Sequence, residues 1–205
     1  MFGMEMYYSF IRLKLDSMKN FLFLFTLIFT LAGEGNAQTV QWRGPARDGR
    51  YPDTGLLKEW PENGPELLFK TGSLGGGYST PVMYMDKFYI TGRFDSLEVL
   101  SAVDMKGKIL WQTTIGKAWM KSFQESRNTP TVENNRVYVA STMGNVNCID
   151  ASTGEVIWAV NTHERYDGEM HRWGTAESLL LTDKAVISSP VGKQTVMVAL
   201  NKKDG

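Results

Sequence analysis

The chain of 205 residues has one cysteine, Cys148, so no disulfide can form within it. Its context, Val146-Asn-Cys148-Ile-Asp150, reads as a strand and the thiol as a small buried hydrophobe. No His or Lys stands nearby in sequence to lower its pKa, which argues against a reactive thiol. Histidines are scarce too: His163 and His171, eight positions apart in a loop, match no zinc-binding pattern. Charge of one sign is missing, because 22 Lys and Arg balance 22 Asp and Glu. With a pI near 6.7 and no long basic run, a dedicated nucleic-acid binder is excluded. Long apolar runs are lacking as well. The longest, Phe21 to Leu31, is too short to cross about 30 Å of hydrocarbon comfortably.

That run has the other marks of a secretory leader. Lys19 precedes it, and Gly35-Asn36-Ala37 follows with small residues. Residues 1–37 therefore read as a signal peptide, with 1–17 an upstream extension if Met18 is the start. The mature chain begins at Gln38 and carries no membrane span. No cysteine follows the run to take a lipid, so the expected location is the periplasm or the cell exterior.

What the chain has in plenty is glycine, aromatic residues and repetition. Asp104-Met-Lys-Gly-Lys-Ile-Leu-Trp111 returns as Asp150-Ala-Ser-Thr-Gly-Glu-Val-Ile-Trp158 and begins again as Asn201-Lys-Lys-Asp-Gly205. Pro81 and Pro130 are 49 positions apart, as are Tyr89 and Tyr138. A period of this size with four short strands per unit is the signature of a β-propeller blade. The predicted fold is all-β, a partial propeller of four-stranded antiparallel blades. It comprises an N-terminal loop segment over 38–65 and an outer strand at Glu66–Lys70. Blades follow at about 79–113, at about 129–160 and, incomplete, from about 176, within repeats spanning 66–205. The recurring Gly sits where a hairpin needs positive φ, and Asp104, Asp150 and Asn201 can bond the turn's own backbone. The recurring Trp is expected to cover the seam between neighbouring blades.

The turn motif resembles the pyrroloquinoline-quinone-type propeller repeat, Ala-x-Asp-x-x-Thr-Gly-x-x-x-Trp, matched nearly in full by Cys148 to Trp158. The opening Trp42-Arg-Gly-Pro-Ala-Arg-Asp-Gly49 is similar to the start of secreted bacterial proteins of this family. The resemblance implies a ring of seven or eight blades. Fewer are present, so the sequence reads as part of a propeller, with self-association through an open blade edge expected. It also implies either of two kinds of protein, quinoprotein dehydrogenases or non-catalytic scaffolds such as a subunit of the outer-membrane protein assembly machinery. Fold does not decide between them.

The connections between blades are long, 116–128 and 161–175, and should meet on one rim, where binding sites usually sit. Trp119, Arg127, His171, Arg172, Trp173 and Glu177 are expected to converge there. Arg127, Arg172, Trp173 and Glu177 are the candidate cofactor-binding residues, for pyrroloquinoline quinone with calcium. Each has a plain structural alternative: the arginines can tie blades together and the tryptophans can fill a loop core. Gly72 to Gly77 can bring backbone close to a ligand, but no Lys-Ser/Thr or helix follows to make a phosphate loop. No acid–base constellation is visible and no catalytic residue or metal ligand is assigned. The favoured reading is a scaffold that binds a protein or glycan partner through its rim. The alternative is a quinone-dependent alcohol or sugar dehydrogenase, or a fragment of one.

Overall fold

The structure, a computed structural model, describes residues 39–205. The expected signal peptide lies outside them. Three antiparallel sheets follow one another. The first contains β1 (Val82–Tyr84), β2 (Lys87–Phe94), β3 (Leu97–Asp104) and β4 (Ile109–Lys117), hydrogen-bonded in that order. The second repeats it with β5 (Thr131–Glu133), β6 (Arg136–Ala140), β7 (Asn145–Asp150) and β8 (Val156–Asn161). A single helical turn, α1 (Thr162–Arg165), opens the next connection, which the sequence presented only as loop. The third sheet has β9 (Leu180–Leu181), β10 (Ala185–Ser188) and β11 (Val198–Asn201). These are consecutive blades of a partial propeller. Antiparallel order puts the three recurring β3–β4-type turns (105–108, 151–154, 202–205) at one end, here the lower end. The long connectors lie at the upper end.

The core sits in the seams between blades. Strand residues alternate in direction, and β6 shows the result. Val137 and Val139 face the first blade, in a cluster with Val82, Tyr89, Leu100 and Ile115. Tyr138 and Ala140 face the third, with Val186, Val198 and Leu200. A strand covered on both faces has no polar side to show, which is why Val-Tyr-Val-Ala runs unbroken. Cys148, on the same side as Tyr138, is fully buried, and burial pushes its thiol up to about 11.

The turns behave as their chemistry requires. Gly107, Gly154 and Gly205 have φ of 81°, 79° and 76°. Asp104 Oδ1 accepts from the Lys106 and Lys108 amides, and Asp150 Oδ1 from Ser152 and Thr153. Asn201 Oδ1 accepts from Lys203.

Above each turn lies the ring of the preceding blade. A Cβ on Gly154 would lie 2.7 Å from Trp111 Cδ2, and one on Gly205 would lie 2.8 Å from Val160 Cγ2 and 3.1 Å from the Trp158 ring. The indole N–H groups cross the seams, Trp111 Nε1 donating to Ala151 O at 3.3 Å and Trp158 Nε1 to Lys202 O at 3.0 Å. Phe69 takes the same place over Gly107, with its ring centroid 5.7 Å from that of Phe88.

Two expectations change. Glu66–Lys70 forms no ladder, because among the described residues no third strand lies beside it, and Leu67 and Leu68 stay about three-quarters exposed. Phe69 alone docks as an outer-strand residue would. The segment before it is also more than loop: Val40 exchanges two backbone bonds with Val132, at 2.9 and 2.8 Å, on the inner edge of β5. Arg47 then donates to Leu179 O, so residues 39–47 strap the second and third blades together along their inner edges.

Candidate functional site

The upper rim is built from the connector 118–130, the middle of the connector 162–179, and the β2–β3 hairpin. Arg127 is its central tie. Its Nη1 donates to Trp173 O at 2.8 Å, and its Nη2 to Phe123 O. One guanidinium therefore fixes the backbones of both connectors. Trp119 is 5% exposed, and Gly174 packs directly against its ring. Its Nε1 donates to Ser122 Oγ at 3.1 Å, and Ser122 Oγ donates in turn to Arg172 O at 3.2 Å. Trp119 is thus the small core under the loops.

Above that core two aromatic rings reach solvent. Trp173 is 47% and Phe123 64% exposed, with ring centroids 5.6 Å apart and planes tilted by 52°. The Arg172 guanidinium lies over the Trp173 ring, 4.6 Å from its centroid. Phe123 holds φ of 44°, a left-handed conformation that costs a non-glycine residue about 1–2 kcal/mol.

Glu177 stands apart from this platform. Its Oε2 accepts from Ser188 Oγ and its Oε1 from the Ser189 amide, both at 2.8 Å. The same position recurs in each blade. Asn128 donates to Ala140 O twelve residues on, and Ser79 Oγ donates to Thr91 O, again twelve residues on. Ser79, Asn128 and Glu177 are thus one repeat position, bracing the entry strand of a blade against its second strand. His171 is exposed. His163, whose Nε2 is 3.3 Å from Thr175 Oγ1, lies in the helical turn that opens the same connector, and burial lowers its pKa. Among the described residues no group of three His, Cys, Asp or Glu could hold a metal ion. So the structure brings Trp119, Arg127, Arg172 and Trp173 together, while the Glu177 carboxylate is turned to Ser188 and Ser189.

The glycine loop finds its close approach in protein backbone. Gly76 and Arg93 exchange bonds at 3.0 and 2.8 Å, and the Tyr78 amide donates to Ser126 O at 2.7 Å. A Cβ on Gly92 would lie 1.7 Å from Leu74 O.

Two residues escaped the sequence reading. Phe123 looked like one more loop aromatic, and only the Arg127 tie sets it beside Trp173. Glu98, fully buried at a bulge in β3, accepts through Oε2 from the Thr142 amide and, at 3.1 Å, from Thr142 Oγ1. Its Oε1 and the buried Ser126 Oγ have no partner. Burial lifts its pKa, against the pull of the two Thr142 hydrogen bonds and the Arg127 charge. A lone acid in Leu-Glu-Val-Leu-Ser-Ala-Val was the available signal.

The family described as outer membrane protein assembly factor BamB matches residues 96–205, more than half of the chain. No curated protein matches it. Among solved structures, quinohemoprotein alcohol dehydrogenase from Pseudomonas putida is 21% identical over 68% of this chain and 21% of that one, with a TM-score of 0.51. BamB from Moraxella catarrhalis is 23% identical over 68% of this chain and 38% of that one, with a TM-score of 0.44. The chain thus spans about a fifth of the length of the dehydrogenase and under two fifths of that of BamB. At 21% identity the likeness to the dehydrogenase carries the propeller fold and nothing finer.

Proposed function

The chain belongs to the outer membrane protein assembly factor BamB family, and from that premise we propose that it is a non-catalytic scaffold engaging a protein partner through its upper rim. One observation carries this reading. The Nη atoms of Arg127 and the carboxylate of Glu177 are engaged by the chain itself. The Nη1 and Nη2 atoms of Arg127 donate to the carbonyls of Trp173 and Phe123, and both oxygens of Glu177 accept from Ser188 and Ser189. These bonds support a structural role for Arg127 and Glu177 over a cradle for quinone and calcium, with Glu177 playing the bracing part that Ser79 and Asn128 play in the other blades. What the rim offers outward is an aromatic pair and an arginine, the residue types that dominate protein–protein hot spots. The leader expected from the sequence around Phe21 to Leu31 and the family's description support work in the cell envelope, outside the cytoplasm.

The test is a titration of the purified chain with pyrroloquinoline quinone and calcium, following quinone absorbance and thermal melting. The expected result is no saturable change in either. Saturable binding weakened by Arg127→Ala or Glu177→Gln would overturn the scaffold reading in favour of a quinone site.

A further inference from the structure

The rim platform is built to stay rigid and exposed at once. Hydrophobic collapse should drive Phe123 and Trp173 inward, yet both remain in solvent beside a loop core that is already filled by Trp119. Their carbonyls are pinned by the same guanidinium, and Phe123 is held in a strained left-handed conformation. Strain of this kind persists only where the surroundings over-determine it. A rigid aromatic pair loses little conformational freedom when a partner covers it.

Along the two segments that carry the pair the charge is one-sided. Within 120–127 and 172–174 the acid is Glu125, which is paired with Arg93 at 3.2 Å. Lys121, Arg127 and Arg172 have no carboxylate partner within 4 Å among the described residues. Lys121 and Arg172 are exposed and lie over the rings of Trp119 and Trp173, at 5.3 and 4.6 Å. The chain as a whole has no net charge, so this cationic surplus is local. Arg172 also covers a face of Trp173, and Phe123 is tilted against it, so the pair does not present the open flat ring that a pyranose would stack on.

The geometry points to a docking site for an acidic peptide segment of a partner protein, one that seats an apolar or aromatic side chain against Phe123 and Trp173 and sets its carboxylates against Arg172 and Lys121. This deepens the scaffold reading and rests on it. Opposite charge steers the segment in and fixes its register, while the buried ring contact supplies the affinity.

A random dodecapeptide phage library panned against the immobilised full chain tests it. Selected peptides are then measured in solution by fluorescence anisotropy at low and high salt. The expected peptides combine several Asp or Glu with one large apolar residue. Binding should weaken at least tenfold with Trp173→Ala, fall about as far with Arg172→Glu, and drop as salt rises. Both side chains are exposed, so unchanged melting temperatures will show that the variants remain folded. Selection of basic or neutral peptides, selection indifferent to both variants, or no selection at all would overturn the site. So would saturable binding of an acidic oligosaccharide such as oligogalacturonate, lost with Trp173→Ala, in the absence of peptide binding. A failed selection beside a failed quinone titration removes this site and leaves the scaffold reading in place, whereas quinone binding removes that reading itself.

Discussion

Trp158 shows what one side chain does across a seam. Its ring is 8% exposed and packs 6.1 Å from Tyr138, while its N–H bonds a carbonyl of the next turn. Trp158→Phe keeps most of the contact and loses the bond, for an expected cost of about 1 kcal/mol in urea unfolding. Trp158→Ala also opens a cavity and should cost about 3–5 kcal/mol. Equal costs for the two would mean that the hydrogen bond, and not the ring, holds the seam. Glu98 gives a pH-dependent counterpart. Burial lifts its carboxyl above the ordinary range, so the fold favours the protonated form. That stability is complete below the unfolded carboxylate pKa and is lost as pH rises through the lifted folded value. Glu98→Gln keeps an acceptor for Thr142 without the ionisation. Wild type should therefore lose stability relative to the Gln variant as pH rises above the unfolded carboxylate value of about 4, as measured by parallel denaturant melts. Identical pH profiles would show that Glu98 is not desolvated in the fold.

At the scale of elements, turns and seams were legible in the sequence, and edges were not. The Asp–Gly–Trp spacing states its own geometry, since a positive φ, an acceptor for the turn amides and a ring for the next blade are each properties of one residue type. Residues 66–70 carry the same strand pattern, but a strand also needs a neighbour, and the neighbour is not encoded in those five residues. The platform was hidden for a related reason. Trp173 and Arg127 were visible as candidates, whereas Phe123 and Glu98 gain their roles only from contacts far along the chain. Glycine gives the sharpest test here. Gly154→Ala forces a Cβ at φ 79° toward an indole 2.7 Å away, and should cost at least about 2 kcal/mol by thermal melting. Gly92→Ala meets the Leu74 carbonyl and should free the 72–77 loop. Hydrogen exchange at the Gly76 and Tyr78 amides would then rise while β6 amides stay protected. Unchanged exchange there would mean that the loop is held by other contacts.

For the molecule as a whole, stability resides in two interblade seams and an inner strap, so each blade depends on its neighbours. Cys148 reports on this directly. It lies fully buried in the middle blade with its thiol pushed up to about 11, so at pH 8 the native chain should resist alkylation. Labelling should proceed only through opening of the seam between the second and third blades, and should accelerate with Trp158→Ala. Fast labelling of the native protein, unaffected by that variant, would place the thiol outside a closed seam.

The ring-over-glycine contact also bears on how such a chain can grow. Each tryptophan belongs to one blade and its glycine to the next, so neither half of the contact is useful alone. Inserting or deleting a few residues within a blade would shift a strand without shifting its partner turn, and would break the contacts on both sides. Copying one whole period reproduces a glycine facing backward and a ring facing forward, and the new unit fits wherever it is spliced between two others. Lineages built on this contact should therefore change length in steps of one complete repeat, while the connectors at the upper rim, which bear no such contact, are free to vary residue by residue.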